Sequence, residues 1–128
     1  MQTVAVIDYG AGNIRSVERA LQAASRTLSA GADVRATADP DFIRKADRIA
    51  LPGQGAFADC MTGLSSAPGV LEALNEAVRT RGKPFLGICV GMQLLAAKGL
   101  EHGEHAGLGW IGGVCRALDT TKQPEARV

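Results

Sequence analysis

Short apolar runs alternate along the chain with longer stretches whose apolar residues recur at helical spacing. Continuous runs rich in β-branched residues predict strands that are buried on both faces, as in a parallel sheet. These runs cover residues 4–7, 48–51 and 85–88, and a more exposed strand is predicted over residues 34–37.

The stretches between these runs have the periodicity of amphipathic helices. The first helix is predicted to follow Asn13, a residue type that commonly caps helix N-termini, and to extend to Ala24. The other predicted helices lie around residue 42 and over residues 56–64, 70–80 and 90 to about 97. Strands that alternate with helices across short glycine-bearing turns indicate an α/β fold around a parallel sheet.

Composition narrows the range of partners. A length of 128 residues suits one domain, and 14 basic against 13 acidic residues leave a net charge of +1. This near-balance gives no electrostatic reason to expect binding to nucleic acid or to a membrane. No apolar stretch reaches the ~18 residues of a membrane helix. Three widely spaced cysteines argue against a disulfide framework, so we expect reduced thiols and a cytoplasmic protein.

The strongest chemical signal is Gly87-Ile88-Cys89-Val90-Gly91, between a predicted strand and a predicted helix. This is the thiol version of the G-x-S-x-G nucleophile elbow, in which a sharp turn exposes the nucleophile at the carboxyl edge of the sheet. The glycines leave room for the turn, and the start of a helix favours a thiolate. A free cysteine is more often a small buried residue, but this setting favours Cys89 as a nucleophile.

A second signal is Leu51-Pro52-Gly53-Gln54-Gly55, at the end of the preceding predicted strand. Such a turn can direct backbone N–H groups towards the elbow thiol. Together with the N–H of Val90, they would stabilise the oxyanion of a tetrahedral intermediate. On its own this pattern is a common turn, so it gains meaning only from its pairing with the elbow.

Two other motifs are weaker. Residues 8–13 resemble a dinucleotide-binding turn, but position 15 is Arg where the fingerprint needs glycine, so we expect no cofactor. Residues 101–105 contain both histidines of the chain, but a central glycine and the lack of a nearby cysteine pair favour a solvated loop over a metal site. A cysteine nucleophile usually needs a histidine base. Either His102 or His105 fills that role, or the base is not in this sequence.

Taken together, these segments resemble the class I, triad-type glutamine amidotransferases. Within that class the chain is most similar to the glutaminase subunits of imidazole glycerol phosphate synthases, which serve histidine biosynthesis. The segments that carry the resemblance are residues 6–17, 51–57, 82–95 and 107–114. The resemblance implies a flavodoxin-like parallel sheet with helices on both faces.

The resemblance also implies residue roles. Cys89 would attack the carboxamide of glutamine and release ammonia, and Gln93 would help to hold the substrate. The oxyanion hole would be formed or gated by Gly53, Gly55 and the N–H of Val90. The loop facing a partner would include Gly10, Gly12, Asn13 and Arg15. That partner would be the cyclase subunit, a β/α barrel that receives the ammonia.

The chain departs from the family in one respect that bears on activity. The family's base histidine and its glutamate partner would lie beyond position 128, and the two histidines of this chain match a loop. We therefore expect residues 1–128 to be the N-terminal part of a type 1 amidotransferase domain that is inactive alone. The alternative is a non-catalytic docking module or remnant that binds a partner without hydrolysing glutamine.

Overall fold

A computed structural model describes residues 1–121 of the protein, and its centre is a four-stranded parallel sheet. The strands are β1 (Gln2–Ile7), β2 (Ala32–Thr37), β3 (Arg48–Gly53) and β4 (Phe85–Cys89). They lie in the order β2-β1-β3-β4, and every neighbouring pair is parallel. The predicted α/β fold is therefore confirmed, and all four predicted strands are present.

Helices connect the strands and cover both faces of the sheet. They are α1 (Ile14–Ser25), α2 (Pro40–Lys45), α3 (Phe57–Ser66), α4 (Val70–Leu74) and α5 (Val90–Gln93). Residues 70–80 are helical throughout, as predicted, but the second half, Asn75–Thr80, is a π-helix. None of the helices within residues 1–121 is long and apolar enough to cross a membrane.

Alternate residues of the strands enter two separate cores. On one face, Ala5 and Ile7 of β1 join Ile49 and Leu51 of β3 beneath α2, α3 and α4. On the other face, Val6 packs with a smaller cluster beneath α1. Because successive strand residues point to opposite faces, an uninterrupted apolar run is what a sheet covered on both sides requires.

The prediction of a helix from residue 90 to about residue 97 is wrong at its end. Helix α5 stops at Gln93, and residues Ala96–Gly99 form strand β5. The carbonyl oxygen of Leu94 accepts from the N–H of Leu108 at 2.7 Å, and that of Leu95 accepts from Ile111 at 2.9 Å. A distant segment thus takes the acceptors that a longer helix would use, which local periodicity does not reveal.

Strand β5 is the centre of a second, small sheet that was not predicted. It pairs antiparallel with β6 (His105–Ala106) and parallel with β7 (Ile111–Cys115). The ring of Phe57 joins this sheet to α3, because a Cβ on Gly99 would lie 2.7 Å from that ring and one on Gly107 would lie 3.1 Å from it. The two glycines therefore let Phe57 pack directly against the backbone.

Candidate active site

Cys89 is the last residue of β4 and directly precedes α5. Its backbone has φ 56° and ψ −124°, a conformation that L-residues rarely adopt. The cysteine is exposed, whereas Val90, the next residue, is buried. A strand, a strained cysteine and a helix thus follow one another without a spacer, which is the geometry of a nucleophile elbow.

The glycines on either side of the elbow are required by packing. A Cβ on Gly91 would lie 1.9 Å from the carbonyl oxygen of Leu51, and one on Gly87 would lie 2.7 Å from the Cα of Met92. The first of these contacts joins α5 to the backbone of β3. Glycine at these positions therefore lets the turn close tightly against the neighbouring strand.

The turn after β3 lies beside the elbow. Gly53 is paired with Cys89 in the parallel register of β3 and β4. A Cβ on Gly53 would lie 2.5 Å from the backbone nitrogen of Gly91, so the two turns are in direct backbone contact. Gly55 follows with φ +90°, a Cβ there would meet nothing within 4 Å, and the residue is exposed like Cys89. The structure thus brings the predicted Gly-x-Gly turn and the predicted elbow together at one sheet edge.

Two buried side chains hold the carbonyl groups of this turn. The hydroxyl of Tyr9 donates to the carbonyl oxygen of Pro52 at 2.5 Å, and the thiol of Cys60 donates to that of Gln54 at 3.2 Å. Burial raises the pKa of the Tyr9 phenol, and the adjacent Cys60 raises it further. Tyr9 therefore stays protonated at neutral pH and remains a hydrogen-bond donor.

Helix α5 is shorter than predicted, and this changes the electrostatics of the elbow. Its four residues form a single turn, whose first N–H groups have no acceptor within the helix. They do not supply the aligned peptide dipoles of the longer helix that the sequence predicted. Gln93, the last residue of α5, is exposed on the same short helix.

The loop between β1 and α1 borders the same edge. Gly10 has φ +90°, and a Cβ on Gly12 would lie 3.0 Å from the side-chain oxygen of Gln54. Asn13 is at the predicted N-cap position of α1, but it has φ 65° and its side chain makes no capping hydrogen bond. Asn13 adopts the left-handed α conformation at the end of this tight turn, which Asn tolerates better than most residues. Arg15 lies on the exposed side of α1, paired with Glu18 at 2.9 Å.

The family model of the class-I glutamine amidotransferases matches residues 5–122, which is most of the chain. The chain belongs to this family. A cysteine elbow beside a glycine turn is thus found in a chain whose family acts on glutamine.

Curated relatives within the family are similar over nearly the whole chain. Proteins named imidazole glycerol phosphate synthase subunit HisH are 59% identical over 119 residues in Caulobacter vibrioides and 53% identical over 115 residues in Rhodospirillum rubrum. These alignments cover 93% and 90% of this chain, but 55% and 54% of the relatives. The chain therefore spans about half the length of these relatives, and the resemblance to this subunit that the sequence indicated is confirmed.

The segment with both histidines lies in the loop between β5 and β6 and in β6 itself. The ring Nε2 of His105 forms a hydrogen bond at 3.1 Å with the carbonyl oxygen of His102. Within residues 1–121, no group of three or more His, Cys, Asp or Glu side chains is arranged to hold a metal ion. Glu101 has a definite role that the sequence did not reveal, because its carboxylate accepts from the N–H of Phe57 at 3.0 Å and caps α3.

Tyr9 also has a role in this amidotransferase chain that the sequence did not reveal. It lies within residues 6–17, one of the segments that carry the family resemblance. One signal was available, since a tyrosine placed just after a buried strand needs a partner for its hydroxyl. Its partner, the carbonyl of Pro52, belongs to a residue 43 positions away in the chain, so the sequence alone does not reveal the pairing.

Proposed function

We propose that residues 1–128 form the N-terminal part of the amidotransferase domain of a glutaminase subunit. The observation that carries this proposal is the pairing of Cys89, in its strained elbow, with Gly53 of the neighbouring strand. The family match and the relatives support it. In this account the whole protein hydrolyses glutamine to glutamate and ammonia.

The proposed reaction has two halves. The Cys89 thiolate adds to the carboxamide carbon of glutamine, and the negative charge passes to the oxygen. The N–H of Val90 and the backbone of Gly53 and Gly55 stabilise this oxyanion, while Gln93 holds the substrate. Collapse of the intermediate breaks the C–N bond, and the nitrogen leaves as ammonia after it is protonated. Water then hydrolyses the thioester, which gives glutamate and restores the thiol.

The proton transfers need a base that these residues do not supply. By resemblance to the family, the base is a histidine held by a glutamate, and both lie beyond position 128. The ring of His105 is hydrogen-bonded to the carbonyl oxygen of His102 in the preceding loop, which supports this assignment. We therefore propose that the 128-residue chain alone has negligible glutaminase activity, since losing one member of a catalytic triad costs several orders of magnitude in rate.

We further propose that the ammonia passes to a cyclase subunit, a β/α barrel. There it reacts with a phosphorylated ribulosyl precursor to give imidazole glycerol phosphate and an aminoimidazole carboxamide ribotide. Gly10, Gly12 and Asn13 of the loop between β1 and α1, together with Arg15 in the first turn of α1, are proposed to face this partner. The loop lies at the elbow edge of the sheet, and the guanidinium of Arg15 is exposed. The three unpaired thiols suit the reducing cytoplasm, where we place the protein.

The proposal is tested by measuring glutamate release by three preparations. They are the whole protein with its barrel subunit, the same complex carrying Cys89→Ser, and the 128-residue chain alone. We expect activity only in the first. The matched control is Cys115→Ser, which removes a different thiol and should leave activity unchanged. Activity in the Cys89→Ser complex would refute the nucleophile, and binding of the barrel without any hydrolysis would favour the docking module.

A further inference from the structure

One face of the parallel sheet is open over β3 and β4. Successive residues of a strand point to opposite faces, and Phe85 of β4 packs against the core beneath α2, α3 and α4. Leu86 therefore lies on the face of α1, and 51% of it is exposed. The cluster beneath α1 contains residues of α1, β1 and β2 and Ala50 of β3, and among residues 1–121 no residue of β4 joins it. An apolar side chain of the sheet is thus left without a cover.

The open face continues as a groove along α1. A cavity of about 260 Å³ is lined by Leu86 and by Leu21 of α1, and a second cavity of about 600 Å³ extends along α1 and the loop that follows it. Both cavities are lined by Val4, Leu21 and Arg48, so they form one groove. Because Arg48 is the first residue of β3, the groove extends to the amino ends of the strands, away from the elbow.

The connections between the four strands explain why this face is uncovered. The connection through α1 crosses from β1 to β2, whereas the later connections, through α2 and then through α3 and α4, run in the opposite direction across the sheet. Crossovers between parallel strands are right-handed, so opposite directions place the helices on opposite faces. The small sheet of β5, β6 and β7 packs against α3, on the face away from α1. No connection within residues 1–121 therefore covers Leu86.

Strand β4 has the sequence of an inner strand. Its five residues, Phe85–Cys89, include no charged residue and no proline. Natural edge strands use such residues to prevent unwanted pairing. Parallel sheets are covered by helices on both faces, and an uninterrupted apolar run suits a strand of that kind. The sequence of β4 therefore fits a strand whose two faces are both covered.

We infer that this groove is occupied, in the whole protein, by a helix from the part that follows residue 128. The helix lies beside α1 and packs the apolar side chains of one face on Val4 and Leu86. The alignments cover only 55% and 54% of the HisH relatives, so a protein of that length has residues enough to supply it. This inference rests on the proposed function, because it needs residues 1–128 to be the N-terminal part of a longer domain.

The position of the groove argues against the barrel subunit as its occupant. That subunit is proposed to meet the loop after β1, at the elbow edge, whereas the groove extends to the opposite ends of the strands. Val4 already packs against the cluster beneath α1. A helix in the groove therefore extends a core of this chain and not a surface between subunits.

Photo-leucine identifies the occupant without a disruptive substitution. This analogue carries a diazirine in a side chain of nearly the same size as leucine, and light expels N₂ to leave a carbene that inserts into a neighbouring bond. The whole protein is made with photo-leucine and irradiated, alone and with its barrel subunit, and cross-linked peptides that contain position 86 are mapped by mass spectrometry. Leu64, fully buried on the other face, is the internal control and should cross-link within residues 1–121.

We expect position 86 to cross-link to a peptide from beyond residue 128 of the same chain, equally with and without the barrel subunit. Cross-links confined to residues 1–128, cross-links to the barrel subunit, or a product of doubled mass that disappears on dilution would each overturn the inference. Glutamate release by the same complex is measured in parallel. An active complex with any of these three results leaves the proposed function intact, whereas an inactive complex that forms the expected cross-link refutes the proposed activity and supports the inference. A natural protein with the mass of residues 1–128 alone would overturn both.

Discussion

Gly91 lies so close to Leu51 that a Cβ on Gly91 would stand 1.9 Å from the carbonyl oxygen of Leu51. That distance is far inside van der Waals contact, and the obstacle is the backbone of a central strand, which cannot move aside like a flexible side chain. The spacing of the nucleophile elbow is therefore fixed by its packing on β3 as well as by the turn itself.

Replacing Gly91 with alanine should destabilise the fold strongly. The added methyl group would push α5 away from β3, and overpacking of this kind costs about 3 kcal/mol or prevents folding. The free energy of unfolding is measured by urea titration, followed by the fluorescence of Trp110, the single tryptophan of the chain. Gly112→Ala is the control, because a Cβ there meets nothing within 4 Å. Equal stability of the two variants would contradict this account of the elbow.

Glu101→Ala should weaken the start of α3. The carboxylate of Glu101 accepts from the N–H of Phe57 at 3.0 Å, and the residue before Phe57 offers no side-chain cap. Loss of a helix cap typically costs about 1 kcal/mol, and Glu101→Gln, which keeps an acceptor, should lose less. Glu104→Ala removes a neighbouring carboxylate that pairs with Lys98 on the surface. If the urea midpoints of Glu101→Ala and Glu104→Ala fall equally, Glu101 is not acting as a cap.

The four parallel strands and the elbow were predictable because each depends on a short stretch of sequence. An apolar run such as residues 48–51 needs burial on both faces, and glycines two residues either side of Cys89 leave room for one kind of turn. The end of α5 was not predictable, because the carbonyl of Leu94 is taken by Leu108. The partners of Tyr9 and Glu101 are likewise distant in sequence. The sequence alone does not reveal which polar groups pair with each other across the fold.

Acid should destabilise the protein partly through Glu18. The backbone N–H of Ala36 and then the side chain of Arg15 lower the pKa of Glu18 below its ordinary value of 4.5. A carboxylate whose pKa is lower in the folded state stabilises the fold at pH values above the pKa that it has in the unfolded chain. This contribution is lost as the pH falls through the pKa that the carboxylate has in the folded state. Glu18→Gln should therefore show a shallower loss of stability below about pH 4.5.

The measurement for Glu18 is the urea midpoint as a function of pH between neutral and strongly acidic buffers. Glu72→Gln, at an exposed position of α4, is the control and should keep the wild-type slope. Identical slopes for Glu18→Gln and wild type would show that the link between Glu18 of α1 and Ala36 of β2 contributes nothing in solution.

The central claim is that Cys89 is the nucleophile for glutamine, and the chain offers an internal comparison for it. Cys60 is buried, Cys115 is half-buried and Cys89 is exposed in its elbow. The most direct measurement is to treat the whole protein with a limiting amount of the chloroketone analogue of glutamine and to locate the label by peptide mass mapping. The account predicts label on Cys89, prevented by excess glutamine. Label on Cys115, or label on Cys89 that glutamine does not prevent, would contradict it.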